Sequence, residues 1–436
     1  MAGGAYISIS ESNNQIKSTW RSWLVVLSAG LFFFYEFIQM NMFNAISADV
    51  MRDFHINATQ LGEISSYYFT ANVIFLFVAG IVLDRFSPKK LMLAALAICV
   101  AGILLFLSTS SYPIACISRF MAGIGSAFCF LSSLRLASRW FAPRQLALVI
   151  GCIVTMAMTG GAVAQVPLRL LVEALGWREA LIVDSVLGGI VFLSILLIVR
   201  DYPNKAIQKN EIECHQELHQ IGYWQSLRMA FLTLQNWLAA FYTCTMNLPI
   251  NVLGGLWGSI YLMDTHQLTA VQASMVSSML FIGTIVGSPI VGYISDRLRM
   301  RVQPMMISAV LAFLIMMLII YVHVQSYSSL ITLFFLMGFV SSAQIISYAY
   351  VAENSPRIVT ATSISVVNIA TMAGIGISQA LFGYFMDQHA AIIHEKMGIY
   401  QASDFHVAML IFPVGIIIAW LITMMLRNKK TGSHLV

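Results

Sequence analysis

Charge is what this chain has least of. Asp, Glu, Lys and Arg make up 10% of its 436 residues, against about 25% in ordinary soluble domains. So few charges cannot clothe a water-facing surface, which excludes a soluble globule. Cysteine is sparse as well: six residues, with no CxxC pair. Five of them (Cys99, Cys116, Cys129, Cys152 and Cys244) sit inside apolar runs, which argues against a disulfide framework. No GxGxxG, Walker loop or nucleophile elbow occurs, so ATP-driven transport and ordinary catalysis have no visible machinery. No enzyme activity and no catalytic residue are expected. No signal peptide is read: the polar start is followed by an apolar run of full membrane length with no small-residue cleavage site.

What the chain has in excess is apolar sequence, 59% of all positions. A membrane-spanning helix needs roughly 20 apolar residues. Twelve such segments are predicted, near 23–47, 60–83, 90–108, 114–136, 146–168, 179–199, 235–261, 270–292, 304–323, 328–350, 361–385 and 406–426. They are too long for the strands of a membrane β-barrel, which need about ten residues each. The fold class is therefore all-α integral membrane.

Lys and Arg set the orientation. With the N-terminus inside, Arg52, Arg169, Arg178 and Lys396 fall outside and Arg119 falls within a segment, leaving 19 of the 24 basic residues inside. That asymmetry places both termini in the cytoplasm under the positive-inside rule. Trp20, Trp23, Trp140, Trp177 and Trp257 fall near the expected interfaces, as an aromatic belt would place them. The net charge of +5 reads as topology, so no nucleic-acid partner is expected.

The longest polar stretch, Arg200 to Gln225, divides the segments six and six. The expected organisation is a six-helix bundle over 1–200, a linker over 201–230, and a second bundle over 231–436. Each half carries a charged turn after its second segment: GIVLDRFSPKK from Gly80 and GYISDRLRMR from Gly292. Such a recurrence is the trace of an internal repeat. Two pseudo-symmetric bundles suit a carrier that tilts them around a site near the bilayer midplane.

These motifs resemble those of the major facilitator superfamily over essentially the whole chain. Gly80, Asp84, Arg85 and the Lys89/Lys90 pair match its G-x-x-x-D-R-x-G-R-[RK] signature, with Ser87-Pro88 departing from it. Gly292, Asp296, Arg297 and Arg301 keep part of the second copy. RFMAGIGSA, from Arg119, is similar to the family's R-x-x-x-G-x-G stretch. WFAPR (Trp140–Arg144) and GWR (Gly176–Arg178) follow in the expected places. The resemblance implies a conformational latch at Gly80, Asp84, Arg85, Gly292, Asp296 and Arg297. The aspartate would meet a helix N-terminus across the seam, with the start of the eleventh segment near Val359 as the dipole. An anchor that only sets topology needs no acid, since Asp and Glu contribute little to that rule.

Glu36 stands at the centre of the first segment, in FFFYEFIQMN. An acid there costs about 2.5–3.5 kcal/mol on insertion scales, and such residues usually face a cavity on a transport pathway. It suits a proton carrier or a partner for a cation. Tyr35 and Gln39 lie on the same broad face. Three roles suit Arg119: pairing with Glu36, binding a substrate carboxylate, or snorkelling as a structural cation. Asp184 is shallower and reads as structural. The second half offers polar stripes instead: Thr243, Asn247 and Asn251, then Ser341, Gln344 and Tyr348, with Asn368 and Gln379 beyond. Stripes of this kind serve helix packing equally well. The resemblance implies that segments one, four, seven and ten line the cavity, which makes Asn247, Asn251, Gln344 and Tyr348 candidate ligands.

Two further stretches limit the function. Family antiporters tend to carry G-x8-G-x3-G-P in the fifth segment. Gly151 and Gly160 fit, but Ala164-Gln165 stands where Gly-Pro belongs, which argues against a drug/proton exporter. CHQELH (Cys214–His219) has two His four apart, yet one turn rarely closes a tetrahedral metal site, so it reads as a solvated linker helix. The expected function is alternating-access transport of a small polar organic solute: an amino acid, short peptide, similar zwitterion or organic anion. Protons and a lipid bilayer are the other partners, a proton gradient replaces any cofactor or metal, and a monomer suffices. The expected location is a bacterial inner membrane. Export of amphipathic compounds is the next reading, and a non-transporting receptor the last.

Overall fold

The computed structural model describes residues 20–141, 143–203, 229, 231–298, 300–322, 326–355, 360–394 and 400–426. Within them the structure is helical, with no strand. The first bundle contains α1 (Trp20–Asn41, resuming as Phe43–Phe54), α2 (Ala58–Arg85), α3 (Pro88–Leu107), α4 (Tyr112–Trp140), α5 (Pro143–Val163, resuming as Val166–Leu175) and α6 (Trp177–Ile198). The second contains α7 (Leu234–Leu248, a π-helical stretch Pro249–Trp257, then Gly258–His266), α8 (Ala270–Leu298) and α9 (Val302–Tyr321). It continues with α10 (Tyr327–Ser341, a 3₁₀ turn Ser342–Gln344, then Ile345–Asn354), α11 (Thr360–His394) and α12 (Ala402–Met409 and Ile411–Met425). Among the described residues eleven helices, with local breaks in α5, α10 and α12, are long and apolar enough to cross a membrane. α7 is the twelfth span, interrupted where Pro249 supplies no N–H to the α-helical ladder.

Helix starts follow local chemistry. Asn57 and Gln60 form a capping box at α2. At α3 the departure Ser87-Pro88 is a helix start: Ser87 Oγ accepts from Lys90 N, and Pro88 fills a first-turn position whose N–H has no partner anyway. Asp201, just past α6, completes that cap. Its carboxylate accepts from Ser87 Oγ at 2.5 Å and from Lys89 N at 3.0 Å. The turn thus ties α3 to α6 inside the first bundle.

The Gly80, Asp84 and Arg85 side chains, Val359, Arg357 and the linker stretch 204–228 with CHQELH lie outside the described residues. In the second turn, Asp296 accepts from Arg301 Nη1 at 2.5 Å, and Glu353 accepts from Arg301 Nη2 at 2.6 Å. Hydrogen bonds donated to Glu353 first, and then to Asp296, hold the Arg301 guanidinium above its ordinary pKa. Arg297 is exposed, and a Cβ at Gly292 would meet no atom within 4 Å. Asp296 is therefore engaged within its own bundle.

The bundles meet at the end away from the chain termini, here the distal end. α2 runs along α11, α5 crosses α8, and the distal piece of α1 meets the π-helical stretch of α7. Five hydrogen bonds cross the seam in that half: Ala58 to Tyr400, Thr59 to Asp387, Ser65 to Gln379, Gln165 to Gly254, and Ser259 to Asn44. Nearer the terminal end, Phe77 stacks on Phe231. Trp257, expected in an interfacial belt, is instead fully buried and donates to Gln379 O at 3.1 Å. Depth alone does not say which side of a helix an indole occupies.

Candidate functional site

Of the charged side chains buried in the first bundle, Arg139 stands in the last turn of α4 over the Tyr202 ring, and three lie deeper. Glu36, Asp184 and Arg119 are exposed by 1%, 6% and 1%, which matters because a buried charge must be paired, hydrogen-bonded or used. The glycines after Arg119 make room for them. A Cβ at Gly123 would stand 2.1 Å from Tyr68 O on α2, and one at Gly125 would stand 2.8 Å from Ala95 O on α3 and 3.0 Å from Glu36 Oε1. The R-x-x-x-G-x-G stretch therefore seats α4 against two neighbours while leaving space beside Glu36.

The partners are few. Tyr68 Oη donates to Glu36 Oε2 at 3.3 Å. Gln39 Nε2 donates to Asp184 Oδ2 at 2.6 Å. Arg119 Nη2 donates to Gln39 O at 3.0 Å, and the guanidinium lies 4.9 Å and 4.8 Å from the ring centroids of Phe43 and Tyr68. Glu36 Oε1, Gln39 Oε1, and Arg119 Nε and Nη1 are buried without a hydrogen-bond partner. No salt bridge joins Glu36 to Arg119 among the described residues. Tyr35 is fully buried, its ring against α6 at Gly188. The arrangement brings together Tyr35, Glu36, Gln39 and Arg119 and adds Tyr68 and Asp184. It presents both acceptors and cationic donors in a low-dielectric interior, where each is strengthened.

The second bundle holds amides that bind one another. Asn247 Nδ2 donates to Gln344 Oε1, linking α7 to α10. Asn251 Nδ2 donates to Asn247 Oδ1 at 3.0 Å. Gln379 Nε2 donates to Asn251 O at 2.8 Å, and Gln379 Oε1 accepts from Ser65 Oγ of α2 at 2.7 Å. Tyr348 lies one turn past Gln344 and is half-buried against the core. Asn247, Asn251 and Gln344 are thus one cluster, with Tyr348 beside it. Thr243 bonds Ser347 one turn nearer the terminal end.

Residues not singled out by sequence reasoning join the two bundles at the seam. Asn44 Nδ2 donates to Gln165 Oε1 at 2.5 Å, and its Oδ1 accepts from Ser259 N at 2.8 Å. Gln165 Nε2 donates to Gly254 O at 2.8 Å, in the π-helical stretch. The one sequence signal was the missing Gly-Pro of α5: the glutamine that replaces the proline is a bridge between bundles. Among the described residues no group of three His, Cys, Asp or Glu gathers to hold a metal.

Comparison with known proteins agrees with this architecture. The Major Facilitator Superfamily profile matches residues 27–379 and again 239–434. A probable sulfoacetate transporter, SauU of Cupriavidus necator, is 24% identical over 279 residues, 62% of this chain and 64% of that protein. The drug efflux pump JefA of Mycobacterium tuberculosis is 28% identical over 178 residues, 41% of this chain and 35% of the pump. The chain thus spans less than two thirds of the length of either relative. Among solved structures, a bacterial homologue of the human lysosomal transporter Spinster, inward-facing and unoccupied, superposes with a TM-score of 0.75 at 16% identity. That match covers 94% of this chain and 98% of the homologue.

Proposed function

Because the chain belongs to the Major Facilitator Superfamily and is a multi-pass membrane transporter, we propose that it moves a small polar organic solute by proton-coupled alternating access. The solute class is an amino acid, short peptide, similar zwitterion or organic anion. The observation that carries this reading is the pair of partly unpartnered charges in the first bundle: Arg119 Nε and Nη1, and Glu36 Oε1. A guanidinium with free donors on a fixed fork suits a carboxylate or another oxyanion. A buried acid with a free oxygen suits a proton, or the ammonium of a zwitterion. The amide cluster of Asn247, Asn251 and Gln344, with Tyr348, supplies neutral contacts from the other side.

The basic-residue asymmetry supports cytoplasmic termini. The distal end, closed by the seam hydrogen bonds, then faces outward. A bacterial plasma membrane, a monomeric carrier and energy from the proton gradient complete the reading. Export is the reading a drug-efflux relative favours, but Gln165 stands in place of the exporter-type Gly-Pro, which weighs against it.

The test is uptake and counterflow in proteoliposomes with amino acids, short peptides and organic sulfonates and carboxylates, with and without an inward proton gradient. Glu36→Gln is expected to abolish proton-driven accumulation while exchange stays measurable. Unchanged pH dependence in that variant removes Glu36 from the mechanism. Absence of counterflow for every solute removes the solute class.

A further inference from the structure

The start of α2 is completed by the opposite bundle. The capping box satisfies Asn57 N and Gln60 N, through Gln60 Oε1 at 3.1 Å and Asn57 Oδ1 at 2.9 Å. It leaves the N–H groups of Ala58 and Thr59 with no partner in their own helix, as the first turn of any α-helix does. Both are taken from across the seam. Thr59 N donates to Asp387 Oδ2 at 2.8 Å, Ala58 N donates to Tyr400 Oη at 2.8 Å, and Tyr400 Oη donates to Asp387 Oδ1 at 2.6 Å. Asp387 is 3% exposed. Burial holds the Tyr400 hydroxyl above its ordinary pKa, so it serves as a neutral donor.

Backbone approach makes the cap possible. One turn before Asp387, a Cβ at Gly383 would stand 2.2 Å from Ala58 O. A Cβ at Gly62 would stand 2.6 Å from Gln379 O. Side chains at either position would hold α2 and α11 apart and put the N–H groups out of Asp387's reach. A carboxylate set on a helix N-terminus, in a partly buried place, is favoured by both hydrogen bonding and the helix dipole.

We propose that Asp387 and Tyr400 are the distal latch of the transport cycle, holding that end shut by capping α2 from the opposite bundle and releasing when the bundles tilt apart. The latch rests on the alternating-access reading but on neither the solute nor the proton. It also mirrors the turn at Asp84. Six-helix halves of this kind contain nested inverted triplets. α2 is the middle helix of the first triplet and α11 of the fourth. By sequence Asp84 belongs to the last turn of α2, at the terminal end; Asp387 nears the distal end of α11, where its carboxylate meets the start of α2. The pair of α2 and α11 thus carries one acid toward each end. Engagement of one latch goes with release of the other.

The test is a distance measured across the distal end in the full chain. Spin labels are placed at Ala174→Cys in the first bundle and Ile392→Cys in the second, with Cys152 and Cys214 changed to serine, and read by pulsed EPR in lipid nanodiscs. The parent is expected to show mainly the short separation of the sealed state. Asp387→Ala is expected to raise the ratio of open to sealed populations about tenfold, since hydrogen bonds to a charged group are lost. Tyr400→Phe moves the same way, about threefold. Distributions identical to the parent in both variants overturn the latch. If Asp387→Ala does not yield a monodisperse protein, Tyr400→Phe decides alone: a shift supports the latch and an unchanged distribution overturns it. The readout needs no transported solute, so failure of the proposed transport chemistry leaves it intact.

Discussion

The interiors of the two bundles are polar in different ways. Deep in its span the first buries two acids and the Arg119 guanidinium and leaves several of their atoms unpartnered. The second also buries two acids, Asp387 and Asp404, but both are hydrogen-bonded, and its amides satisfy one another across α7, α10 and α11. In an apolar solvent the difference has energetic weight. An unpartnered buried charge costs free energy in every state of the cycle unless something binds it, whereas a closed amide network costs little and positions its helices. On the proposed function, the comparison gives recognition and energy coupling to the first bundle, and shape and alignment to the second.

Arg119 offers the strongest way to break that assignment, beside Glu36. Arg119→Ala removes the cation of the first bundle's interior and the donor to Gln39 O. Transport of an anionic or zwitterionic solute is expected to fall by about 100-fold, the size of a lost hydrogen bond to a charged group of about 1.5–3 kcal/mol. Arg119→Lys keeps the charge but loses the fork and the stacking between Phe43 and Tyr68; it is expected to recover only part of the rate. Initial rates over a solute series check both. Equal loss for solutes with and without an acidic group makes Arg119 a structural cation and breaks the comparison.

The split between the bundles was legible in the sequence only on its charged side. Glu36 and Arg119 stand out because charge inside an apolar segment is costly wherever it faces. The twelve spans were legible for the same reason, since length and hydropathy are one-dimensional properties. The amides were visible as stripes, yet a stripe does not say which of its members bond one another; the Asn247–Gln344 and Asn251–Asn247 bonds appear only in the fold. Least legible were the seam residues. Gln165 meets Gly254 at a separation of 89 residues, and Ala58 meets Tyr400 at 342. No local pattern records such pairings, because the partners lie in different helices far apart in the sequence. Gln165 showed itself only as a departure from a motif, and Asp387 not at all.

Asn247 sharpens the comparison from the second bundle. It joins Gln344 and Asn251, so Asn247→Ala leaves the Gln344 amide oxygen and the Asn251 amide without their side-chain partner. The cost is about 1–3 kcal/mol of stability, read as a lower melting temperature, with KM raised about tenfold at most and the pH profile of transport unchanged. A shifted pH profile would bring the amides into the coupling chemistry and erase the division of labour.

Tyr348→Phe carries the smallest expected effect and tests whether the second bundle touches the solute at all. Tyr348 is half-buried one turn beyond Gln344, and the substitution keeps the ring that packs on the core. Only a hydroxyl is lost, so stability should change little. If the hydroxyl meets the solute, KM rises by up to about fivefold, the worth of one neutral hydrogen bond of roughly 0.5–1.5 kcal/mol, with the maximal rate held. A fall in maximal rate at constant KM would place Tyr348 in the tilting of α10 rather than in binding. An unchanged KM would leave solute recognition wholly to the first bundle, the extreme form of the asymmetry seen in the unpartnered atoms of Glu36 and Arg119.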